Sequence, residues 1–323
     1  MRLGGPARYV IEIENPQEIR DAYEFARQYQ LPAFALGYGA NTIGHDEGFN
    51  GVIIINRMRG IISESITDHD TRIKIMGGEY WDDVVAYACK QGLTGIEAMS
   101  KIPGLASAAP VQNIGAYDQQ ISDVLESIEA YDSTTGTFVT LKKADLQFSY
   151  RQSILNTTAR GRYFILSITL VLSKGVMPQP FYYSIEKYAD NHNLTDFTPE
   201  GIRNIVTMIR TSKLPDPLTT ASSGSFFHNI YLSESQAEIA ANKGLPIRRT
   251  KDGFKLSTAW LIEQCGLKGK LIHGIRVSDQ APLVLINESA KSFKDLAKAR
   301  GEIVSKVYDK FGYWLEQEPV EIQ

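Results

Sequence analysis

The sequence predicts an α+β protein, because segments with the periodicity of strands and segments with the periodicity of helices follow one another without strict alternation. Residues 8–14 alternate apolar and polar side chains, which is typical of a half-buried strand. Asn15, Pro16 and Glu18 then form the pattern of a helix start, with an Asn cap, a proline in the first turn and a glutamate that closes a capping box. The chain has 323 residues and no internal repeat, so it is long enough for two or three domains.

Further elements are predicted along the chain. Residues 1–57 form a β-α-β unit in which a strand at 32–36 runs into a glycine loop at 37–41, and a strand at 52–55 follows. Residues 95–120 are rich in small residues, which predicts a close-packed loop. The other predicted elements are strands at 72–76, 127–131, 138–141, 163–172 and 283–286, helices at 81–88 and from 198, a helix ending at 265–266, a helix over 292–311 and a strand-like tail at 313–322.

The composition excludes several classes of protein. Hydrophobic residues at 43% and charged residues at 22% are typical of globular chains, and the net charge of −3 argues against a nucleic-acid partner. A few well-placed cations can still bind a small anionic ligand. Cys89 and Cys265 have no neighbour at metal-ligand spacing, so we predict no metal site and a reducing, cytoplasmic location. No apolar run approaches the ~20 residues of a membrane span, so no membrane association is predicted.

Two loops are candidates for binding a cofactor. In the loop at 37–41, glycines after a strand let backbone amides approach a pyrophosphate, although a simple tight turn explains the same residues. The second loop covers 102–104 and 109–117. It carries no charge and hardly any bulky side chain, so its backbone can come close to a flat or charged group. A turn accounts for Pro103 and Gly104 but does not readily account for the rest of this loop.

Four scattered polar residues are further candidates, and each has an ordinary structural explanation. Arg151 is equally well explained as a solvated charge, and Lys213 is equally well explained as a cation at the C-terminus of a helix. Ser225 is a possible turn cap, and Glu318 one more surface acid beside Glu316. Spacing alone does not bring these residues together.

Several runs of residues, in this order along the chain, resemble the signature of one family. They are Leu-Gly-Tyr-Gly-Ala-Asn (36–41) with Asp-Glu-Gly-Phe (46–49), Ile-Pro-Gly (102–104), Ala-Pro-Val-Gln-Asn-Ile-Gly-Ala-Tyr (109–117) with Ile-Ser-Asp-Val (121–124), Phe-Ser-Tyr-Arg-Gln-Ser (148–153), Lys-Leu-Pro-Asp-Pro (213–217), Gly-Ser-Phe-Phe (224–227) and Trp-Leu-Ile-Glu-Gln-Cys-Gly-Leu-Lys-Gly (260–269). The family is UDP-N-acetylenolpyruvoylglucosamine reductase, and the resemblance extends from about Leu3 to Glu318.

The resemblance implies an FAD-binding domain in two lobes, of the vanillyl-alcohol-oxidase (PCMH) type, at 1–57 and 58–209. It also implies a substrate-binding α+β domain with a C-terminal tail at 210–323. FAD is expected to be bound without a covalent bond, because Ala40 stands where covalent relatives place a tethering histidine. The residues implied to bind FAD are Gly37, Gly39, Ala40, Asn41, Ile102, Pro103, Gly104, Ser107, Ile114, Gly115, Ala116 and Tyr117.

The implied reaction has two halves. NADPH gives a hydride to flavin N5, and N5 then delivers a hydride to C3 of the enolpyruvyl group of a UDP-sugar. By the family pattern Ser225 donates the proton to C2, while Arg151 and Glu318 polarise the enolpyruvyl carboxylate and its enolate. The residues implied to bind substrate or NADPH are Tyr150, Tyr183, Lys213, Asn229 and Gln280. We expect a monomer whose partner is the small UDP-sugar.

The chain departs from the family pattern at several positions. His228 replaces the usual Lys after the Gly-Ser-Phe-Phe run, and Ile230 replaces the usual Pro. Residues 105–108 vary a stretch that is normally richer in glycine, and residues 278–280 stand where the family tends to carry His or Arg. In the tail, Glu316 and Glu321 are alternatives to Glu318.

Two other functions are left open by the residues. One is an oxidase of the same flavin fold that acts on a sugar alcohol, which would not need Arg151, Ser225 and Glu318 together. The other is a nucleotide-binding protein that has kept the fold and lost the reaction.

Overall fold

The computed structural model describes residues 1–250 and 253–323. The helices are α1 (Pro16–Gln28), α2 (Trp81–Lys90), α3 (Ile121–Val124), α4 (Tyr183–Asn191), α5 (Pro199–Lys213), α6 (Glu234–Asn242), α7 (Thr258–Gln264) and α8 (Phe293–Phe311). The strands are β1 (Ala7–Ile13), β2 (Ala33–Leu36), β3 (Thr42–Gly44), β4 (Phe49–Asn56), β5 (Ile61–Ser65), β6 (Asp70–Met76), β7 (Leu93–Thr94), β8 (Gly115–Ala116), β9 (Gln119–Gln120), β10 (Leu125–Asp132), β11 (Thr137–Lys142), β12 (Tyr163–Lys174), β13 (Ser222–Ser225), β14 (Ile230–Leu232), β15 (Ile247–Thr250), β16 (Gly253–Leu256), β17 (Leu271–Ile272), β18 (Ile275–Val277), β19 (Val284–Asn287) and β20 (Val320–Ile322). The mixture of elements confirms the predicted α+β class.

Helices with strong local signals begin and end where the sequence predicts. The Asn15 side chain caps α1 by accepting hydrogen bonds from the amides of Gln17 and Glu18 at 3.1 and 3.2 Å. The capping box differs in one detail, because the Glu18 carboxylate accepts from the amide of Glu14 rather than from that of the cap residue. Ser292 caps α8, which ends at Gly312 with a φ of 76°. Local capping chemistry therefore fixes these boundaries.

Elements stabilised mainly by distant partners differ from the prediction. Within the strand-like tail predicted at 313–322, the extended strand is limited to β20, which pairs in parallel with β3. Helices α4 and α6 were not predicted, and the loop at 95–120 contains short 3₁₀ turns and the small β8–β9 hairpin. Helix α6 opens with a capping box formed by Ser233 and Gln236, a local signal that the prediction missed, whereas α4 has no side-chain cap.

The described chain divides into two compact units. We call residues 7–39 with 50–212 the larger unit, and residues 1–6, 40–49 and 213–323 the C-terminal unit. The division into domains at 1–57, 58–209 and 210–323 stays a prediction. The predicted boundary after residue 209 and the boundary between the two units after residue 212 both lie close to the end of α5.

Besides the β8–β9 hairpin, the described part of the larger unit contains two sheets. One has the strand order β1-β4-β2 with β2 parallel to β4, and the other has the order β11-β10-β12-β6-β5 with antiparallel neighbours. Helix α2 packs on the second sheet through Trp81, which is 1% exposed, and its indole N–H donates to the carbonyl of Met99 at 3.2 Å. The amide of Trp81 donates to the carbonyl of Gly104 at 3.0 Å, so this core directly anchors a predicted cofactor loop.

The C-terminal unit has its own core and sheets. Its strands form a sheet of order β13-β19-β18-β17, a sheet of order β14-β16-β15 and the β3–β20 pair. Buried side chains of α7 and α8 pack with Phe226 and Phe227, which are 0% and 1% exposed. These two phenylalanines therefore fix the segment that follows Ser225.

A buried carboxylate in the larger unit makes stability depend on pH. The Arg162 guanidinium donates two hydrogen bonds to Asp132, at 3.0 and 2.6 Å, and lowers the pKa of that carboxyl from 3.8 to about 2. Because the folded pKa lies below the unfolded one, the ionised carboxylate stabilises the fold above pH ~4, and this contribution is lost as the pH falls toward 2. We expect the difference in free energy of unfolding between wild type and Asp132→Asn to shrink over that range.

Urea unfolding at a series of pH values measures this difference. Glu263→Gln is the control, because Glu263 pairs with Lys268 on the surface, where their side chains are 46% and 41% exposed, and such pairs contribute little. A wild-type minus Asp132→Asn difference that stays constant between pH 4 and 2.5 would contradict the assignment.

Candidate active site

The glycine loop after β2 presents unused amides. Within residues 1–250 and 253–323, the amides of Gly37, Tyr38 and Gly39 donate to no protein acceptor. Gly39 has a φ of 71°, a conformation that side chains disfavour. Consecutive amides without protein acceptors form a site for an anionic group such as a pyrophosphate. These three amide donors are suited to the pyrophosphate of FAD. An ordinary tight turn would instead use its amides in hydrogen bonds of its own.

The two predicted cofactor loops meet in the larger unit. A Cβ atom on Gly37 would lie 3.3 Å from the Cβ of Ala108, so glycine allows the first loop to pack on the 3₁₀ turn at 106–108. The amide of Ser107 in this turn donates to the carbonyl of Gly77 at 3.0 Å, which ties the turn to the end of β6. Like the amides of the first loop, the amide of Gly104 has no acceptor within the part of the chain that the structure describes.

The segment at 113–117 is held in an unusual conformation. Asn113 is 1% exposed, has a φ of 46°, and donates from its side chain to the carbonyl of Ser149 at 3.0 Å. A Cβ atom on Gly115 would lie 2.6 Å from the carbonyl oxygen of Gln119, so glycine is needed at this position. Tyr117 also has a positive φ, of 50°. Such conformations persist only where the surroundings fix them, and they are frequent at functional sites.

Arg151 lies directly against this segment. Its guanidinium donates to the carbonyls of Asn113 and Gly115 at 3.2 and 2.7 Å and stands over the Tyr150 ring at 5.3 Å. Arg151 itself has a φ of 54°, which is uncommon for a residue other than glycine. The interpretation of Arg151 as a merely solvated charge is therefore wrong, because its side chain is built into the predicted cofactor loop.

The sequence-based reasoning missed Arg210, a second arginine in this region. It lies in the last turn of α5, donates to the carbonyl of Lys101 at 3.3 Å and shares a hydrogen bond with the hydroxyl of Tyr117. Arg210 follows Val206 by four positions and so lies beside the buried stripe of the helix, which was the available signal.

In the C-terminal unit, the segment that carries Ser225 runs antiparallel to the tail. Phe227 and Gln317 form a bridge, the amide of Glu318 donates to the carbonyl of Phe226 at 2.9 Å, and the amide of His228 donates to the carbonyl of Glu316 at 2.9 Å. Ser225 is exposed at the end of β13, immediately before this bridge. The structure therefore brings two of the three predicted catalytic residues, Ser225 and Glu318, onto neighbouring segments of one unit.

The neighbours of Glu318 include a residue that departs from the family pattern. The Nδ1 atom of His228 lies 3.7 Å from the Glu318 carboxylate, whose side chain is 13% exposed. The Asn41 side chain donates to the carbonyl of Glu318 at 3.3 Å, so this predicted cofactor-binding residue also fixes the tail.

One of the alternative tail glutamates already has structural partners. The Glu321 carboxylate binds the imidazole of His45 at 2.9 Å and the guanidinium of Arg300. His45 also stacks on Phe293. This arrangement favours Glu318 over Glu321 as the glutamate of the site.

The remaining predicted substrate residues are more scattered. Tyr183 begins α4 and is 63% exposed, and Lys213 ends α5. The side-chain oxygen of Asn229 accepts from the amide of Thr258 at 3.2 Å, and the amide of Gln280 donates to the hydroxyl of Ser278 at 3.2 Å. Their roles stay predictions.

The described residues contain neither a metal site nor a membrane-spanning helix. In the described ranges, no cluster of His, Cys, Asp and Glu side chains could hold a metal ion. The helices described, the longest of which is α8, are too short or too polar to cross a bilayer.

Comparison with known proteins identifies both parts of the chain. Residues 7–142 match the FAD binding domain model, and residues 216–322 match the C-terminal domain model of UDP-N-acetylenolpyruvoylglucosamine reductase. The UDP-N-acetylenolpyruvoylglucosamine reductase of Neisseria gonorrhoeae is 34% identical over 321 residues, which cover 98% of this chain and 92% of the relative. The protein of the same name from Escherichia coli is 33% identical, with 97% and 90% covered.

The chain belongs to the UDP-N-acetylenolpyruvoylglucosamine reductase family. A crystal structure of UDP-N-acetylenolpyruvylglucosamine reductase from Thermus caldophilus has a TM-score of 0.65, covers 97% of this chain and 92% of its own, and is 20% identical, so it shows the fold. These matches confirm the predicted FAD-binding fold with its C-terminal domain. The chain is thus an FAD-dependent oxidoreductase, FAD is its cofactor, and NADPH is the reductant of its family.

Proposed function

We propose that this reductase-family protein converts UDP-N-acetylglucosamine enolpyruvate to UDP-N-acetylmuramate with NADPH, as a step of peptidoglycan precursor synthesis. The observation that carries the proposal is the pairing of residues 226–228 with 316–318, which fixes Glu318 on the segment next to Ser225. An oxidase of a sugar alcohol would have no need for a hydroxyl donor and a carboxylate at this place. The family membership supports the same reaction.

The larger unit supplies the residues that would hold FAD. The amides of Gly37, Tyr38, Gly39 and Gly104 are suited to the pyrophosphate, since they lack protein acceptors within the described residues. When bound, FAD accepts a hydride from NADPH at N5 and supplies it to C3 of the enolpyruvyl group. Pro103 and residues 114–116 belong to the same loops and carry no charge.

Arg151 has the role of binding the enolpyruvyl carboxylate in this proposal. A guanidinium carries five N–H donors in a rigid fork, so one side chain can hold a backbone loop and also bind a carboxylate. Its hydrogen bonds to the carbonyls of Asn113 and Gly115 orient it before substrate arrives. Negative charge that develops on the carboxylate and C2 as hydride reaches C3 would then meet a fixed positive charge.

Ser225 completes the reaction by proton transfer. Its hydroxyl gives a proton to C2 as the hydride arrives at C3, and the exposed position of Ser225 lets solvent restore that proton. Hydride and proton together add two hydrogens across the double bond, and NADPH is oxidised to NADP⁺. Glu318, held next to this segment, would polarise the enolate and orient the substrate.

Product analysis tests the proposed reaction. The FAD-loaded protein is incubated anaerobically with NADPH and UDP-N-acetylglucosamine enolpyruvate. The UDP-sugars are then separated, and their masses are measured by mass spectrometry. We expect one UDP-sugar that is two hydrogens heavier, in equal amount to the NADP⁺ formed. UDP-N-acetylglucosamine, which lacks the enolpyruvyl group, is the control. Unchanged UDP-sugar from protein that contains FAD would refute the proposal.

The same incubation in D₂O tests whether the proton added at C2 comes from a group that exchanges with solvent, as an exposed hydroxyl does. One deuterium is expected at C2 of the product, because the exposed Ser225 hydroxyl exchanges with solvent before it donates.

The cytoplasmic location and the monomeric state of the protein stay predictions.

A further inference from the structure

The tail around Glu318 contains little regular structure of its own. Within the described ranges, residues 313–319 form no helix or strand. The amide of Glu318 donates to the carbonyl of Phe226 at 2.9 Å, and its carbonyl accepts from the Asn41 side chain at 3.3 Å. A carboxylate that acts on a reacting group must be held closely, because a misplacement of about 1 Å can cost about 10²-fold in rate. The side chains on either side of Glu318 therefore matter to its placement.

The Gln317 side chain closes a turn around Glu318. Its Nε2 atom donates to the carbonyl of Pro319 at 2.7 Å, so the side chain spans the residue between them. Its Oε1 atom accepts from the guanidinium of Arg300, in α8, at 2.6 Å. Because the amide group uses both its donor and its acceptor, it ties the residues that flank Glu318 to the helix.

Glu321 completes this arrangement from the other side of Glu318. Its carboxylate accepts from the Arg300 guanidinium and from Nε2 of Gln317, the latter at 3.2 Å, and it binds the His45 imidazole at 2.9 Å. Burial alone would raise the pKa of the Glu321 carboxyl, but the hydrogen bonds from His45 and Arg300 outweigh burial and lower the pKa. Ionised Glu321 thus holds Arg300 and Gln317 through charge-assisted hydrogen bonds.

The position of Glu321 distinguishes it from another glutamate with similar partners. Glu302 lies on α8, pairs with Lys306 at 2.7 Å on the same helix, and approaches His273 in the turn between β17 and β18 at 3.7 Å. None of these partners belongs to the tail. The partners of Glu321 lie on α8, in the tail and directly after β3, so its contacts join the segments that surround Glu318.

We infer that Arg300, Gln317 and Glu321 are positioning residues that hold the Glu318 carboxylate in place for the reduction of the enolpyruvyl group. The inference rests on the proposed function, since it takes Glu318 to act on the substrate. The three side chains act through the backbone on both sides of Glu318 and need no contact with the substrate. Disturbing them should therefore impair the substrate half-reaction alone.

The test measures the two flavin half-reactions of Glu321→Ala and Glu321→Gln in the FAD-loaded protein. At saturating UDP-N-acetylglucosamine enolpyruvate, we expect flavin reoxidation by Glu321→Ala to be slower by about 10- to 10²-fold, as for a displaced reacting group. Glu321→Gln keeps an acceptor oxygen for Arg300 and should recover part of this rate. The rate of flavin reduction by NADPH should equal that of wild type in both variants.

A double-mutant cycle with Glu318→Gln shows whether Glu321 acts through Glu318. The effects of independent residues on the rate would multiply. In the Glu318→Gln protein, we expect Glu321→Ala to slow reoxidation by no more than about twofold further, because the carboxylate that it positions is already gone. A residue that served only the fold would slow both backgrounds alike.

Two control variants on α8 separate positioning from stability. Glu302→Gln removes the glutamate with similar partners outside the tail, and both half-reactions should stay at their wild-type rates. Ile303→Val shortens a core side chain of the same helix that is 0% exposed. It should lower the unfolding temperature and leave both half-reactions unchanged.

Several outcomes would overturn the inference. They are reoxidation of Glu321→Ala at the wild-type rate, effects of Glu321→Ala and Glu318→Gln that multiply, and slowing by Ile303→Val as large as that by Glu321→Ala. If Glu321→Ala does not fold, Glu321→Gln must show slowing that disappears in the Glu318→Gln protein, or the inference fails. Wild-type turnover with an unaffected Glu318→Gln would refute the inference while the reaction stands. Wild-type flavin that NADPH bleaches and the UDP-sugar does not reoxidise would refute the proposed function itself.

Discussion

Ser225→Ala is expected to leave the reduction of bound flavin by NADPH at its wild-type rate and to slow reoxidation by the UDP-sugar by about 10²- to 10⁴-fold, the range that a positioned acid contributes. The hydroxyl is needed only where C2 takes a proton, and that step belongs to the second half-reaction. Ser225 is exposed, and the buried phenylalanines that follow it hold the segment. The variant should therefore fold normally. Single-turnover absorbance of the flavin measures the two half-reactions separately.

Ser222→Ala is the matched control for this variant. Ser222 begins the same strand, β13, and its carbonyl rather than its hydroxyl is used, as an acceptor for the N-terminus at 3.4 Å. Both half-reactions should be unaffected. Slow flavin reduction in Ser225→Ala, or reoxidation at the wild-type rate, would remove Ser225 from the role of proton donor.

Arg151→Ala is expected to impair the same half-reaction and, in addition, to weaken FAD binding. Loss of one fixed donor to developing negative charge typically slows a reaction by about 10²- to 10³-fold. The additional effect follows from the structure, because the guanidinium also holds the carbonyls of Asn113 and Gly115. Arg151→Lys keeps the charge but cannot donate two parallel hydrogen bonds to a carboxylate. We therefore expect this variant to keep much of the FAD affinity and to remain slow in flavin reoxidation.

Measurements at saturating FAD separate these two effects of Arg151. The FAD dissociation constant reports the loop, and the rate of flavin reoxidation at saturating UDP-sugar reports the reaction. Arg160→Ala, nine positions further on and exposed, should change neither. If the flavin of Arg151→Ala is reoxidised at the wild-type rate, another residue binds the enolpyruvyl carboxylate.

Features that depend on neighbouring residues could be predicted from the sequence. The cap of α8 needs only Ser292 and Asp295, and its end needs only Gly312. The loops at 37–41 and 102–117 were found by their small residues, because glycine is required where backbone must come close to backbone or to a ligand. Family resemblance then named Arg151, Ser225 and Glu318, which periodicity and spacing could not bring together.

Features that depend on tertiary pairing could not be predicted. The parallel pairing of β20 with β3 joins two segments of the C-terminal unit that are far apart in the sequence, and no local pattern encodes it. The proximity of His228 to Glu318 follows from the bridge between Phe227 and Gln317. Arg210 looks in the sequence like any cation near a helix end, and only its buried Nε atom and its contacts with two loop residues distinguish it.

The measurement that tests the central claim most directly is anaerobic stopped-flow absorbance at the flavin band, with NADPH added first and UDP-N-acetylglucosamine enolpyruvate second. The account predicts that NADPH bleaches the flavin and that the UDP-sugar restores its colour in a single turnover. Bleaching that the UDP-sugar does not reverse, in protein that a later addition of oxygen recolours, would contradict the account and point to the oxidase alternative.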